Sequence, residues 1–162
     1  MSRVTVHFPT LPLQEAAARP GGITRENALE AAQENLRAIS GEGDATIEIA
    51  LAALEAIVGQ ADGGRLTPEQ LRAVLNEADQ VVNMAGTFGY AALDRASRAI
   101  CDVADGLLRA GRRDVAPVAV HVRAMRLFSP LCAAPSAEET GRVLAELAKV
   151  AAFYNFAPLG SQ

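Results

Sequence analysis

Two histidines, two cysteines and the adjacent acids Glu138 and Glu139 are the residues of this chain whose types most readily support chemistry. Metal sites in helical bundles commonly use Glu-x-x-His pairs, and here Val4 and Val118 stand three residues before His7 and His121. A nucleophile working with an imidazole would have to recruit His121. That residue lies in Val118-Ala119-Val120-His121-Val122, an apolar stretch that marks a histidine at the edge of a core. His7 reads as an ordinary polar residue. Two cysteines are too few for a disulfide framework or a cysteine-ligated zinc site, and the neighbours of Cys101 and Cys132 are apolar, so both are expected to be buried small hydrophobes. Gly21-Gly22 and Gly63-Gly64 follow no strand and lack a Lys-Ser/Thr pair, which leaves no phosphate cradle. Glu138 and Glu139 sit in a first helical turn, where negative charge favours the helix dipole. No catalytic, cofactor or metal site is expected, and the chain reads as a non-enzyme.

The elements around these residues are helical. The chain has 162 residues, half of them apolar but only 4% aromatic, and it lacks Trp. A core built this way rests on Leu, Val, Ile and Ala in closely packed helices. Residues 1–22 have no helical period and are punctuated by Pro9, Pro12, Pro20, Gly21 and Gly22, so they are expected to form an extended N-terminal arm. A helical domain over 23–156 and a short tail over 157–162 complete the expected organisation. Within the domain the periodicity predicts six helical segments: 25–39 ending at Ser40-Gly41, then 44–60, one opened at Thr67, 89–110, 115–128, and one opened at Ser136. Thr67-Pro68-Glu69-Gln70 and Ser136-Ala137-Glu138-Glu139 are both capping boxes. Short connections between helices of similar length predict an all-α, up-down antiparallel bundle.

Charge narrows the partners. The net charge of −4 and a pI near 5.2 argue against nucleic acid, which draws affinity from clustered cations. Arg109, Arg112 and Arg113 are better read as a helix C-terminus and the loop after it. No apolar run approaches the roughly 18 residues of a membrane span, and 1–22 lacks the pattern of a secretory signal, so a cytoplasmic location is expected.

The segment from Asp79 to Leu93, with Ala99-Ile100-Cys101-Asp102 and His121-Val122-Arg123-Ala124-Met125-Arg126, resembles a histidine phosphotransfer domain. In that family a helix presents a phosphorylatable His, with a cation three residues on, a Gly four residues on, and then a turn like Gly86-Thr87-Phe88-Gly89-Tyr90. Counting back from the turn puts Asp79 at the histidine position, Val82 at the cation and Asn83 at the glycine. All three depart. Val81 to Gly89, with Pro20-Gly21-Gly22, also resembles the alphaproteobacterial proteins labelled chemotaxis protein E, over most of residues 20–155. These look like degenerate phosphotransfer domains.

The resemblance implies a four-helix core of phosphotransfer type with additional helices. It further implies an adaptor in bacterial chemotaxis or two-component signalling that binds a response-regulator receiver domain or a histidine kinase without relaying phosphate. Relay needs an imidazole that forms a labile phosphoramidate and a cation to offset the phosphate charge. Asp79 and Val82 supply neither, and there is no acid cluster to hold the magnesium an acyl phosphate requires. The expected interface is the polar stripe Arg72, Asn76, Asp79, Gln80 and Asn83, opposite the apolar stripe of Leu71, Val74, Leu75, Ala78, Val81, Val82 and Ala85. Met84 and Phe88 are expected in the core. The alternatives are a structural or self-associating helical scaffold, and an unconventional phosphotransfer protein using His121. A monomer or weak homodimer is expected.

Overall fold

The computed structural model describes residues 24–154, so the expected arm at 1–22 and tail at 157–162 lie outside the described residues. Among the described residues five helices follow one another: α1 (Arg25–Gly59), α2 (Pro68–Phe88), α3 (Ala91–Arg109), α4 (Val115–Leu127) and α5 (Ala137–Phe153). Among the described residues there are no strands, only isolated bridges joining Arg65 to Asp62 and to Asp114. The all-helical class read from the periodicity therefore holds.

One boundary does not. The segments expected at 25–39 and 44–60 are a single helix of 35 residues, and Ser40-Gly41 does not stop it. A glycine inside a helix costs only about 0.5–1 kcal/mol relative to alanine, which a long run of Ala, Leu, Glu and Ile outweighs. Gly43 has a packing role: it is buried, and a β-carbon there would run into the ring of Phe88. The close approach is thus at Gly43, two residues past the Ser40-Gly41 that reads as a stop and that has open space at Gly41.

The chain divides into two units, residues 1–38 and 39–162, with the boundary inside α1. In the first, the side chains from Arg25 to Leu36 are all exposed. In the second, a continuous core joins Ile47, Leu51 and Leu54 of α1 to buried residues of the other four helices. Helix α3 is central to it. Leu93, Ala96, Ile100, Val103, Ala104 and Leu107 are fully buried, and the helix packs against α2, α4 and α5. Their spacing of three and four residues puts them on one broad face. Buried Ser97 donates its hydroxyl to the Leu93 carbonyl at 2.8 Å, so it adds no unpaired polar group.

Both capping boxes form. Thr67 Oγ1 accepts the Gln70 amide at 3.1 Å while Gln70 Oε1 accepts the Thr67 amide at 2.8 Å. Ser136 and Glu139 pair in the same way, at 3.2 and 2.9 Å. The loop before α2 is held to the loop before α4: Leu66 donates its amide to the Arg113 carbonyl at 2.8 Å, and Val115 donates to the Gly64 carbonyl at 3.0 Å. Gly64 sits there at φ 75°, a left-handed conformation that favours glycine.

The two glycines of α1 are expected to respond oppositely to alanine. Gly41→Ala adds a carbon with nothing within 4 Å and should raise stability by about 0.5–1 kcal/mol. Gly43→Ala should lower it, and combining it with Phe88→Ala should cost less than the two single changes summed, as measured by urea denaturation of the set. Thr67→Ala should cost about 1 kcal/mol in the same assay.

Candidate functional site

Helix α2 divides cleanly. Leu71, Val74, Ala78, Val81 and Ala85 are buried toward the core, whereas Arg72, Asn76, Asp79, Gln80 and Asn83 are all exposed. The capping box fixes where the helix starts, and Gly89, left-handed at φ 80°, ends it. The expected interface residues therefore share one outward face. Val82 is half-buried, as are Met84 and Phe88.

Pairing on this face is local and loose. Asn83 donates to Asp79 at 3.4 Å, Gln80 donates to Glu77 at 3.3 Å, and Arg72 lies 3.7 Å from Glu69. Exposed contacts of this kind contribute only about 0.2–0.5 kcal/mol each, so a partner can replace them at little cost. Thr87 donates its hydroxyl to the Asn83 carbonyl at 2.8 Å, which anchors the last turn.

Charge on α3 bears on the same face. Arg98 is held by Asp94 through contacts of 3.0 to 3.1 Å, and Asp79 acts on it electrostatically from α2. Cys101 is half-buried, and its thiol is pushed up to about 11, by burial first and then by the charges of Asp79 and Asp102. It is a neutral thiol rather than a nucleophile. Sequence reasoning passed over Arg98, although the four-residue spacing from Asp94 signals an ion pair.

The densest polar constellation lies elsewhere and was also missed. Arg126 of α4 contacts Glu48 of α1 at 2.5 Å and Glu55 at 2.8 and 2.9 Å, and the Ser129 hydroxyl donates to Glu48. Arg126 raises no catalytic prospect, because its hydrogen bonds to Glu55 and Glu48 hold it protonated well above the usual range. The same hydrogen bond lowers the Glu55 carboxyl, against a smaller opposing effect of burial. Tyr90 donates to Asp44 at 2.6 Å, and that bond, with burial and the carboxylate charge, pushes the phenol up to about 12. These contacts fasten residues 44–55 of α1 to the start of α3 and the end of α4. Partners 46 to 81 residues apart leave no local signal.

His121 is deeper than its apolar neighbours suggested. It is fully buried, with Nδ1 donating to the Pro117 carbonyl at 2.7 Å and Nε2 without a hydrogen-bond partner among the described residues. Burial lowers its pKa, partly offset by that carbonyl. Neither ring nitrogen faces solvent. The expectation for Cys132 is corrected: it is exposed on the α4–α5 connection, because Ser129-Pro130 ends α4 and lifts Leu131 and Cys132 out of any helical face. Arg109 pairs with Asp105 at 2.8 Å, and Arg112 pairs with Asp114 at 3.0 Å while stacking on Tyr154 at 4.4 Å.

No group of three or more metal-binding side chains converges among the described residues. A cavity of about 310 Å³ is lined by Tyr90, Leu93, Phe128, Pro130, Cys132 and Pro135 among others, mostly apolar and without a second titratable group beside the thiol of Cys132 except the Tyr90 phenol. No helix among the described residues is long and apolar enough to cross a membrane. No family model matches the chain, and no curated protein or solved structure is detectably similar to it.

The buried imidazole makes a pH prediction. Because its folded pKa lies below the unfolded value of about 6.5, the unfolded chain takes up the proton first. Stability should be full above pH 6.5 and fall as the pH drops below it. His121→Met should flatten that limb in denaturant titrations at a series of pH values, leaving the loss below about pH 4.5 that belongs to carboxylates such as Glu55.

Proposed function

We propose that this protein is a non-catalytic signalling adaptor, an up-down bundle of histidine phosphotransfer type that binds a response-regulator receiver domain or a histidine kinase. It acts without relaying phosphate. The observation that carries this reading is the common exposure of Arg72, Asn76, Asp79, Gln80 and Asn83 on one face of α2, the face to which the resemblance assigns a phosphotransfer domain's histidine. Asp79 stands there in place of the imidazole. Val82, half-buried and apolar, offers no cation, and the guanidinium of Arg98 is already taken up by Asp94.

A face of short polar side chains suits docking better than chemistry. Nothing on it is desolvated, and catalysis by a carboxylate gains most from a dry, preorganised setting. Relay through His121 would require the ring to leave the core, which costs the burial of α4's inner face. A cytoplasmic site of action in chemotaxis or two-component signalling goes with this reading.

Titration calorimetry against purified receiver domains, phosphorylated and not, and against histidine kinase domains tests it. At least one partner is expected to bind, and Asp79→Arg with Asn83→Arg should weaken binding tenfold or more, about 1.4 kcal/mol, with thermal melting unchanged. Incubation with an active kinase and labelled ATP should leave no stable label on the chain. Binding by none of these partners, or stable labelling, would remove the reading.

A further inference from the structure

Helix α5 is lightly held. Of its 17 residues only Leu144 and Leu147 are buried, against eight of 19 in α3, and its last residue, Phe153, is 80% exposed. Clefts border the helix along its length. One of about 310 Å³ reaches its first turn at Thr140, and one of about 350 Å³ runs between it and Ala99 of α3, past both leucines. A third, of about 410 Å³, separates Val150 and Phe153 from Pro117 and Val120 of α4. The buried leucines thus meet open volume where a filled core would supply packing atoms.

Polar contacts do not make up the difference. Among the described residues, the side-chain hydrogen bonds and ion pairs of α5 stay within the helix and its cap, at Ser136–Glu139 and Glu146–Lys149, and no backbone hydrogen bond joins it to another helix. Helix α1, by contrast, is tied across the fold by Tyr90–Asp44 and by Arg126 with Glu48 and Glu55. Past the end of α5, Arg112 stacks on Tyr154 at 4.4 Å.

We infer that α5 is a latch, which opens as one piece while the helices it rests on stay folded. Its hinge is residues 130–135, between Ser129, which Glu48 holds, and the Ser136 cap. Pro130 and Pro135 have no amide to leave unpaired, and the capping box travels with the helix it starts. Opening bares Leu144 and Leu147 together with the apolar surface they cover, including Ala99 of α3 and Pro117 of α4. The closed form prevails because that surface is apolar, and the open form is a minor state reached well short of global unfolding. The latch lies apart from the α2 face and does not depend on what that face binds.

Native-state hydrogen exchange of the full chain, followed by NMR in low concentrations of urea, tests the latch. The amides of residues 141–150 should exchange together, at least tenfold faster than those of 97–107 in α3, and with a urea dependence smaller than that of global unfolding but above zero. Leu147→Ala should speed the α5 amides about tenfold or more. Thr67→Ala, far along the chain from the latch, weakens the closed and open forms alike, so it should speed the α3 amides about fivefold and leave those of α5 unchanged. Exchange of α5 as slow as that of α3, or equal acceleration of both by Thr67→Ala, overturns the proposal, because α5 then opens only with the whole fold. Exchange that slows progressively inward from residue 153 without urea dependence, or indifference of α5 to Leu147→Ala, overturns it as well.

Discussion

Burial of α3 is the constraint from which the rest of the second unit follows. This helix is apolar over so wide a face that α2, α4 and α5 all pack against it, and its Leu93, Ile100, Val103 and Leu107 have no route to water. Alanines at 96 and 104 and Ser97 keep parts of that face thin, so neighbouring helices can lie close. Once α2 has turned Leu71, Val74, Ala78, Val81 and Ala85 toward this core, the helical period dictates what remains outside. Arg72, Asn76, Asp79, Gln80 and Asn83 are exposed because α3 has claimed the other side. The candidate interface is in this sense a by-product of core packing, and its flatness follows from the regularity of the helix beneath it.

A second layer of interactions fixes α1 against the bundle and uses charge to do so. Glu48 is shared between Arg126 and Ser129, and Glu55 closes on the remaining edge of the guanidinium. The site is about one-third exposed at Arg126 and more so at Glu55, which places its worth between that of a surface pair and a buried one. Its value lies in geometry: the planar guanidinium can satisfy both glutamates only when α1 and the end of α4 meet in one rotational register. The Tyr90–Asp44 bond sets the same register eleven residues before Glu55, at the start of α3.

Much of the helical content is legible in the sequence because it is local. Thr67-Pro68-Glu69-Gln70 and Ser136-Ala137-Glu138-Glu139 name their helix starts through contacts within four residues, and the stripe of α2 assigns its faces by period alone. Three features are not legible, for distinct reasons. Ser40-Gly41 carries the signature of a terminator but lies inside a continuous helix, and nearby Gly43 serves to admit Phe88, a residue 45 positions later. The Arg126 cluster joins residues more than 70 apart, and nothing about Glu48 or Glu55 separates them from other helical glutamates. Cys132 sits among apolar neighbours in the chain, yet a proline-broken connection gives it no inward face. His121 falls between these cases: its apolar stretch points to the core, while the depth of burial and the unpartnered Nε2 depend on how α4 is covered.

The composition of the α2 face bears on how it can bind. Asn, Asp and Gln hold fewer rotatable bonds than Lys, Arg or Glu on average, so ordering them at an interface forfeits less conformational entropy. Asn83 is paired with Asp79 at 3.4 Å and Gln80 with Glu77 at 3.3 Å, which is the loose end of hydrogen-bond geometry. Exchanging such contacts for better ones across an interface loses little. Only Arg72 at one end and Asp79 at the centre carry charge within the stripe, and Arg98 on α3 tempers the field of Asp79. A surface with so little net charge gains specificity from placed donors and acceptors rather than from long-range attraction, so association through it should be slow to respond to salt and strict about geometry. That character suits the docking role proposed for this face.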